Sequence, residues 1–175
     1  NVSLLGTIFR HFGYRAAYTG KWHLEGVSYF GDGQPDGGFE PDWWYDGKRY
    51  AEDIGQEKFH QYRTAQTPED LRAAGFDESM IWGHRVANRA IDFLETVEDD
   101  PFVLVVSFDE PHGPFVAPPE YWESFGPEDV PRPPHFGAPL VNKPRLQEVH
   151  REAVGEPNWE AFAARKARHF ACNCY

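Results

Sequence analysis

The sequence predicts an α/β fold, with a mixed, mostly parallel sheet flanked by helices. A helical pattern, a glycine turn and a short apolar strand follow one another over residues 3–19. The same order returns over 79–108, and repeated helix-to-strand steps are the pattern of an α/β domain. The second strand, "FVLVVSF" at 102–108, is a continuous, valine-rich apolar run interrupted only by Ser107. That is the pattern of a strand buried on both faces of a parallel sheet.

The elements can be justified in order. Leu4, Leu5, Ile8, Phe9 and Phe12 recur at helical spacing, which predicts a helix over 3–12. Ser3 stands at its N-cap position and Gly13 at its stop. "YRAAYTG" then predicts a strand closed by Gly20. Residues 26–78 are rich in Gly, Asp, Tyr and Trp and read as irregular. They carry too many aromatics for a disordered linker, so a folded excursion over one end of the domain is expected. Inside it, "TPEDLRAAGF" at 67–76 predicts a short helix, with Thr67 as N-cap, Pro68 in the first turn and Gly75 at the end. The strongest helical pattern covers 78–98, with Ile81, Trp82, Val86, Ala90, Phe93, Leu94 and Val97 on its apolar face. Proline density predicts an extended, irregular excursion over about 109–157. The helical period resumes from Asn158 to Tyr175.

The 175 residues suffice for a single core, and the whole chain is expected to form part of one catalytic domain. Its formal net charge of -11 argues against a nucleic-acid partner, because a phosphate backbone repels such a surface. Basic residues are scattered, apart from Arg165, Lys166 and Arg168. No apolar run reaches the roughly 18 residues of a membrane span. The chain starts at Asn1, enters a helical pattern at once and ends within another, so it reads as an internal piece of a longer protein. Cys172 and Cys174 would diverge by roughly 200° on a helix, which makes them two ordinary thiols rather than half of a metal site.

Two loops carry the chemistry. "GKWHLEG" follows the first strand and "DEPHGPF" follows the second. In open α/β sheets, ligands bind at the carboxyl ends of the strands. Lys21, His23 and His112 would meet there, one ammonium and two imidazoles suited to a tetrahedral oxyanion. Trp22, between the first two, reads either as a substrate contact or as a core filler. "PDWWYDGKRY" offers Trp43 and Trp44 for stacking on a sugar or aryl group, and Lys48 and Arg49 for further anionic groups. The alternative is that those indoles build a small core under the loop. Asp109 and Glu110 would orient a histidine, bind substrate hydroxyls or stay solvated. His84 and Arg85 sit within a helical pattern and read as structural.

The stretch "GYRAAYTGKWHLEG" is similar to the sulfatase family's Gly-Tyr, strand and Gly-Lys-Trp-His-Leu-Gly. "PFVLVVSFDEPHGPFVAPPEYW" resembles that family's later strand with Pro-His-x-Pro, and "NRAIDFLE" its preceding helix. The resemblance implies an alkaline phosphatase-like fold and a sulfuric ester hydrolase acting on a small-molecule or glycan sulfate ester. Lys21 would lie against the sulfate and the nucleophile. His23 would hydrogen-bond the nucleophile's hydroxyl. His112 would donate to a sulfate oxygen or to the leaving alkoxide. The family also implies a divalent cation, calcium, and a formylglycine made from a Cys-x-Pro-x-Arg cysteine. No such motif occurs in the sequence. Asp99-Asp100 precede the second strand, at the wrong end of the sheet for a metal ligand pair. Nucleophile and metal ligands are therefore expected outside this chain, and the piece by itself is expected to be inactive. Glu25, inserted in the Leu-Gly step, is expected to face the non-sulfated part of a substrate. Two alternatives use the same cradle: a phosphonate or phosphate monoester hydrolase, and an inactive anion- or glycan-binding module.

Overall fold

The computed structural model describes residues 3–24 and 30–175. It opens with helix α1 (Leu5–His11), which ends at Phe12 and Gly13. The N-cap is Leu4, without a side-chain bond, so Ser3 does not take that role. Strand β1 (Arg15–Gly20) follows. A 3-10 turn over Pro41–Trp43 leads into the two-residue strand β2 (Trp44–Tyr45). Helices α2 (Gly47–Ile54), α3 (Gln56–Thr64) and α4 (Pro68–Ala73) come next. Helix α5 (Trp82–Thr96) and strand β3 (Phe102–Ser107) complete the second helix-to-strand unit. The remainder holds α6 (Pro119–Trp122), α7 (Arg145–Val154) and α8 (Trp159–Cys174).

The sheet has the order β2-β1-β3 and both pairings are parallel. Six consecutive pairs, from Arg15 opposite Phe102 to Gly20 opposite Ser107, lock β1 to β3. Strand β1 is buried beyond Arg15, with Ala16 and Ala17 almost fully enclosed. By contrast β3 is only half-buried, with Phe102 and Val106 exposed. The expectation that 102–108 is covered on both faces therefore fails, because β3 is an edge of the sheet among the described residues. Helix α5 covers one face through Phe93 and Val97, which pack on Ala17 and Leu104. On the other face Ala16, Tyr18, Trp22, Phe39 and Trp44 form an aromatic core with Val103 and Val105. Leu94, expected on the apolar face of α5, is exposed instead.

Since β2 is short, the start of β1 finds its partners elsewhere. The Glu40 carboxylate accepts from the Ala16 N–H at 2.8 Å, and the Glu40 N–H donates to the Ala16 carbonyl at 2.8 Å. Arg15 closes the unit with a bidentate grip on Glu40, at 3.0 Å from Nε and 3.0 Å from Nη2. A side chain here does the work of a strand, satisfying a backbone donor that β2 does not reach. Gly6 is needed nearby for a different reason. It donates to Gly37 at 2.8 Å, and a Cβ on it would fall 2.6 Å from the Gly38–Phe39 backbone.

The excursion after β1 is helical where an irregular course was expected. Asp46, fully buried, caps α2 by accepting from Lys48 and Arg49 and holds Gly33 at 2.7 Å. Gly55, at φ 85°, separates α2 from α3. In α4 the expected cap is present as a full capping box of Thr67 and Asp70. These helices build a second core of Tyr50, Tyr62, Leu71, Phe76, Ile81 and Trp82. The Pro-rich stretch also contains a helix, α7, whose Leu146, Val149 and Val154 are exposed. Asn158 caps α8, which buries Ala163, Ala167 and Ala171 along one stripe. Cys172 and Cys174 are free thiols on that helix, one buried and one exposed.

Burial works to raise the Glu40 carboxyl, yet Arg15 and the Ala16 N–H hold it below its usual range. A lowered folded value gives stability that is present above the unfolded value near 4.3 and is lost as pH falls through the folded one. Glu40→Gln should therefore cost about 1.5–3 kcal/mol at pH 7, the range for a hydrogen bond to a charged group. The gap to wild type, measured by denaturant unfolding, should shrink toward pH 3; an unchanged gap would remove the ion pair as its cause.

Candidate active site

All three strands end on one side of the molecule, and their following residues leave together. Gly20 lies opposite Ser107, so Lys21 and the Phe108–Asp109 segment emerge side by side. The Lys21 N–H donates to the Ser107 carbonyl at 2.7 Å, which carries the ladder one residue past the strand. Gly20, at φ 119°, allows this approach, because a Cβ would overlap the Ser107 carbonyl. Tyr18 donates its hydroxyl to the Lys21 carbonyl. Trp22 then turns into the core and packs edge-on against Tyr18 and Trp44, with ring centroids 4.9 Å from each. Buried Trp22 is flanked by Lys21, half-buried, and His23, exposed.

The two loops are joined by charge. Lys21 Nζ lies 3.1 Å from Asp109 Oδ1, and both side chains are largely enclosed. Arg63, from α3, approaches the other oxygen of Asp109 at 3.8 Å, with its guanidinium 4.6 Å from the Phe30 ring centroid. Asp109 in turn starts the turn that carries His112. The His112 N–H donates to the Asp109 carbonyl at 2.7 Å, and His112 Nδ1 lies 2.9 Å from the Gly113 carbonyl. His112 itself is exposed. The Glu110–Pro111 and Gly113–Pro114 bonds flanking it are cis. Lys21 and Asp109 thus meet at the carboxyl ends of β1 and β3, and the turn that begins at Asp109 carries His112.

Other expected residues go elsewhere. Trp44 joins Trp22 in the core, and Trp43 packs edge-on against Phe93 at 5.3 Å. Trp22 and Trp44 are core fillers, and Trp43 stays half-buried beside Phe93. Lys48 and Arg49 are exposed in the first turn of α2, 3.7 and 3.6 Å from Glu52. Glu25 lies outside the described residues.

Asp109 and Glu110 are not a solvated pair. While Asp109 faces Lys21, Glu110 points the other way, where the Gly83 N–H in the first turn of α5 donates to Oε1 at 3.2 Å. Among the described residues its second oxygen is buried without a hydrogen-bond partner. Burial, with Asp109 adding to it, pushes the Glu110 carboxyl up to about 7. Sequence reasoning missed Arg63 altogether, since no motif marks it. Glu110 was visible only as a neighbour of Asp109.

A model of the sulfatase family matches residues 1–134, most of the chain. The chain belongs to the sulfatase family. The Escherichia coli (strain K12) protein named "Uncharacterized sulfatase YidJ" is 36% identical over 176 residues, covering 99% of this chain and 35% of that protein. The chain therefore spans about a third of the curated relative it matches. Its parallel sheet flanked by helices is part of an α/β, alkaline phosphatase-like fold. The sulfatase resemblance implies a metal ion and a cysteine-derived nucleophile, and the described residues fit neither. Among them no group of three or more His, Cys, Asp or Glu is placed to hold a metal. Asp99 and Asp100 stand at the amino end of β3, away from Lys21. Cys172 lies buried in α8, and burial, with Glu110 adding to it, pushes its thiol up to about 12.

A carboxyl raised on folding favours the native state while both states are protonated, and that advantage fades as pH rises from about 4.3 through its folded value near 7. Glu110→Gln keeps an acceptor for Gly83 and cannot ionise. Its thermal midpoint should hold steady between pH 5 and 8, whereas the wild-type midpoint should fall relative to it. Parallel profiles for the two proteins would show that Glu110 titrates as it does in water.

Proposed function

We propose that the full-length protein hydrolyses a sulfate ester, and that this chain supplies the part of the site that holds and protonates the ester. The observation that carries this reading is the Lys21–Asp109 contact at 3.1 Å, which ties the loop after β1 to the loop bearing His112. Lys21 would neutralise charge on a non-bridging sulfate oxygen. Asp109 would position the ammonium against the ester, holding it at 3.1 Å. His112, whose Nδ1 lies 2.9 Å from the Gly113 carbonyl, would exchange a proton with the substrate. As an attacking oxygen bonds to sulfur, the bond between sulfur and the leaving oxygen breaks, and the leaving oxygen keeps the electron pair and takes a proton from His112. With one water consumed overall, the products are an alcohol and inorganic sulfate. Charge neutralisation and proton donation at these two points are what a sulfate ester demands of its catalyst. His23, next along the loop, is the third polar group offered to the nucleophile side.

In this reading the calcium ion and the formylglycine of the family are supplied by parts of the full-length protein other than the described residues. A glycan ester is the favoured substrate class, and no nucleic acid is a partner. A phosphate monoester would present the same tetrahedral oxyanion, so 4-nitrophenyl phosphate belongs beside 4-nitrophenyl sulfate in the assay.

In the full-length enzyme, Lys21→Ala and His112→Ala should each lower turnover of 4-nitrophenyl sulfate by ~10²-fold or more, the loss expected for a transition-state donor. A wild-type rate in either variant refutes the role given to that residue. The 175-residue chain alone should turn over neither ester; robust hydrolysis by it would mean that a nucleophile lies within the chain after all.

A further inference from the structure

The groove between α7 and α8 has no part in the reaction above. It holds about 1000 Å³, with Phe136, Leu146, His150, Arg151, Phe162 and Arg165 in its walls. These residues lie beyond position 134, where the family match ends. One end of the groove reaches the turn that carries His112, because Arg165 touches both. Its guanidinium carbon is 5.4 Å from the Phe115 ring centroid, and a Cβ on Gly113 would sit 3.9 Å from one of its terminal nitrogens. Gly113 is the residue after His112. Phe115, held at φ 63°, rests against His169 of the same helix at 5.5 Å.

The charge at this point is uncommitted. Among the described residues the ion pairs of the α7–α8 region join Arg145 to Glu148 and Glu152, and Arg151 to Glu156 at 4.0 Å. Arg165 enters none of the ion pairs among the described residues. In a chain of net charge -11, an exposed guanidinium left without a carboxylate beside the candidate active site is suited to a ligand anion. Its planar fork matches a sulfate or a carboxylate with two parallel bonds. Behind it, Phe136 and Phe162 lie with Trp159 in an aromatic group, at 5.1 Å for Phe136–Trp159 and 5.2 Å for Phe136–Phe162. Such faces suit the apolar side of a sugar ring.

We propose that Arg165 recognises a second anionic group of the substrate, a sulfate or carboxylate beyond the scissile ester, while the adjoining sugar lies in the α7–α8 groove. This rests on the hydrolase reading and narrows its substrate to multiply charged glycan esters.

The test compares two probes on the full-length enzyme, 4-nitrophenyl sulfate and a chondroitin-type disaccharide with two sulfates and a carboxylate. Arg165→Gln should lower kcat/KM for the disaccharide about tenfold more than for 4-nitrophenyl sulfate, mainly through KM, as for a lost hydrogen bond to a charged group. Arg165→Lys keeps the charge without the fork and should recover part of the difference. Equal losses on both probes, or no loss on the disaccharide, overturn the proposal. Where wild type does not turn over both probes, calorimetric Kd values for the two replace kcat/KM, and turnover of neither probe defeats the hydrolase reading itself. A disaccharide affinity about tenfold weaker in Arg165→Gln then upholds the anion subsite. Equal affinity, or no binding by wild type, overturns it.

Discussion

Everything assigned to the candidate site depends on the six-residue parallel pairing of β1 with β3. A parallel pair aligns two chain segments that are some ninety residues apart in sequence and sends their following loops off from one edge. The register does the rest. With Gly20 opposite Ser107, the next residues out are Lys21 on one strand and Phe108 and Asp109 on the other. Shifting either strand by one residue would exchange its inward and outward side chains. Trp22 would leave the aromatic core, and Lys21 would lose both Asp109 and the Ser107 carbonyl. The ion pair is thus a product of the pairing rather than an independent attachment.

How far the sequence could be read follows from the range of each interaction. The segments β1, β3, α4 and α5 announce themselves locally, through β-branched runs, helical spacing and a Thr-Pro start with its capping box. Helices α2 and α3 were hidden because their inward positions are aromatic and scattered, Tyr50, Phe59 and Tyr62, with polar residues between. Only a tertiary partner, Trp82, shows that those rings share a side. The two residues of β2 are too few to carry a pattern, and Pro-rich flanks masked α7. The burial expected for β3 was inferred from composition, which is blind to whether a neighbouring strand is at hand.

The site divides the same way. Lys21 and His112 were legible because each follows a recognisable strand, and a strand's end is a place. Arg63 and Arg165 arrive from helices that bear no chemical motif; each gains meaning from the turn it meets, Asp109 in one case and Gly113–Phe115 in the other. The opposite orientation of Asp109 and Glu110 was likewise beyond a one-dimensional reading. Adjacent residues at a strand end face apart, so one carboxyl meets an ammonium and the other a helix amino end. The family match and the 36% identical relative show the family that those local motifs resemble.

Trp22 sits between two residues assigned to chemistry, yet its own ring belongs wholly to the core with Tyr18, Phe39 and Trp44. One tripeptide therefore answers to two different selective pressures. Under the proposed roles, a lesion at position 22 would abolish activity in a genetic screen just as lesions at 21 or 23 would, and a map of inactivating alleles would draw all three as one catalytic block. If Lys21 and His23 act as proposed, protein levels would separate them: alleles at 22 would deplete the folded protein, while alleles at 23 would leave an abundant and silent one. A suppressor that restores packing would rescue the first kind and never the second.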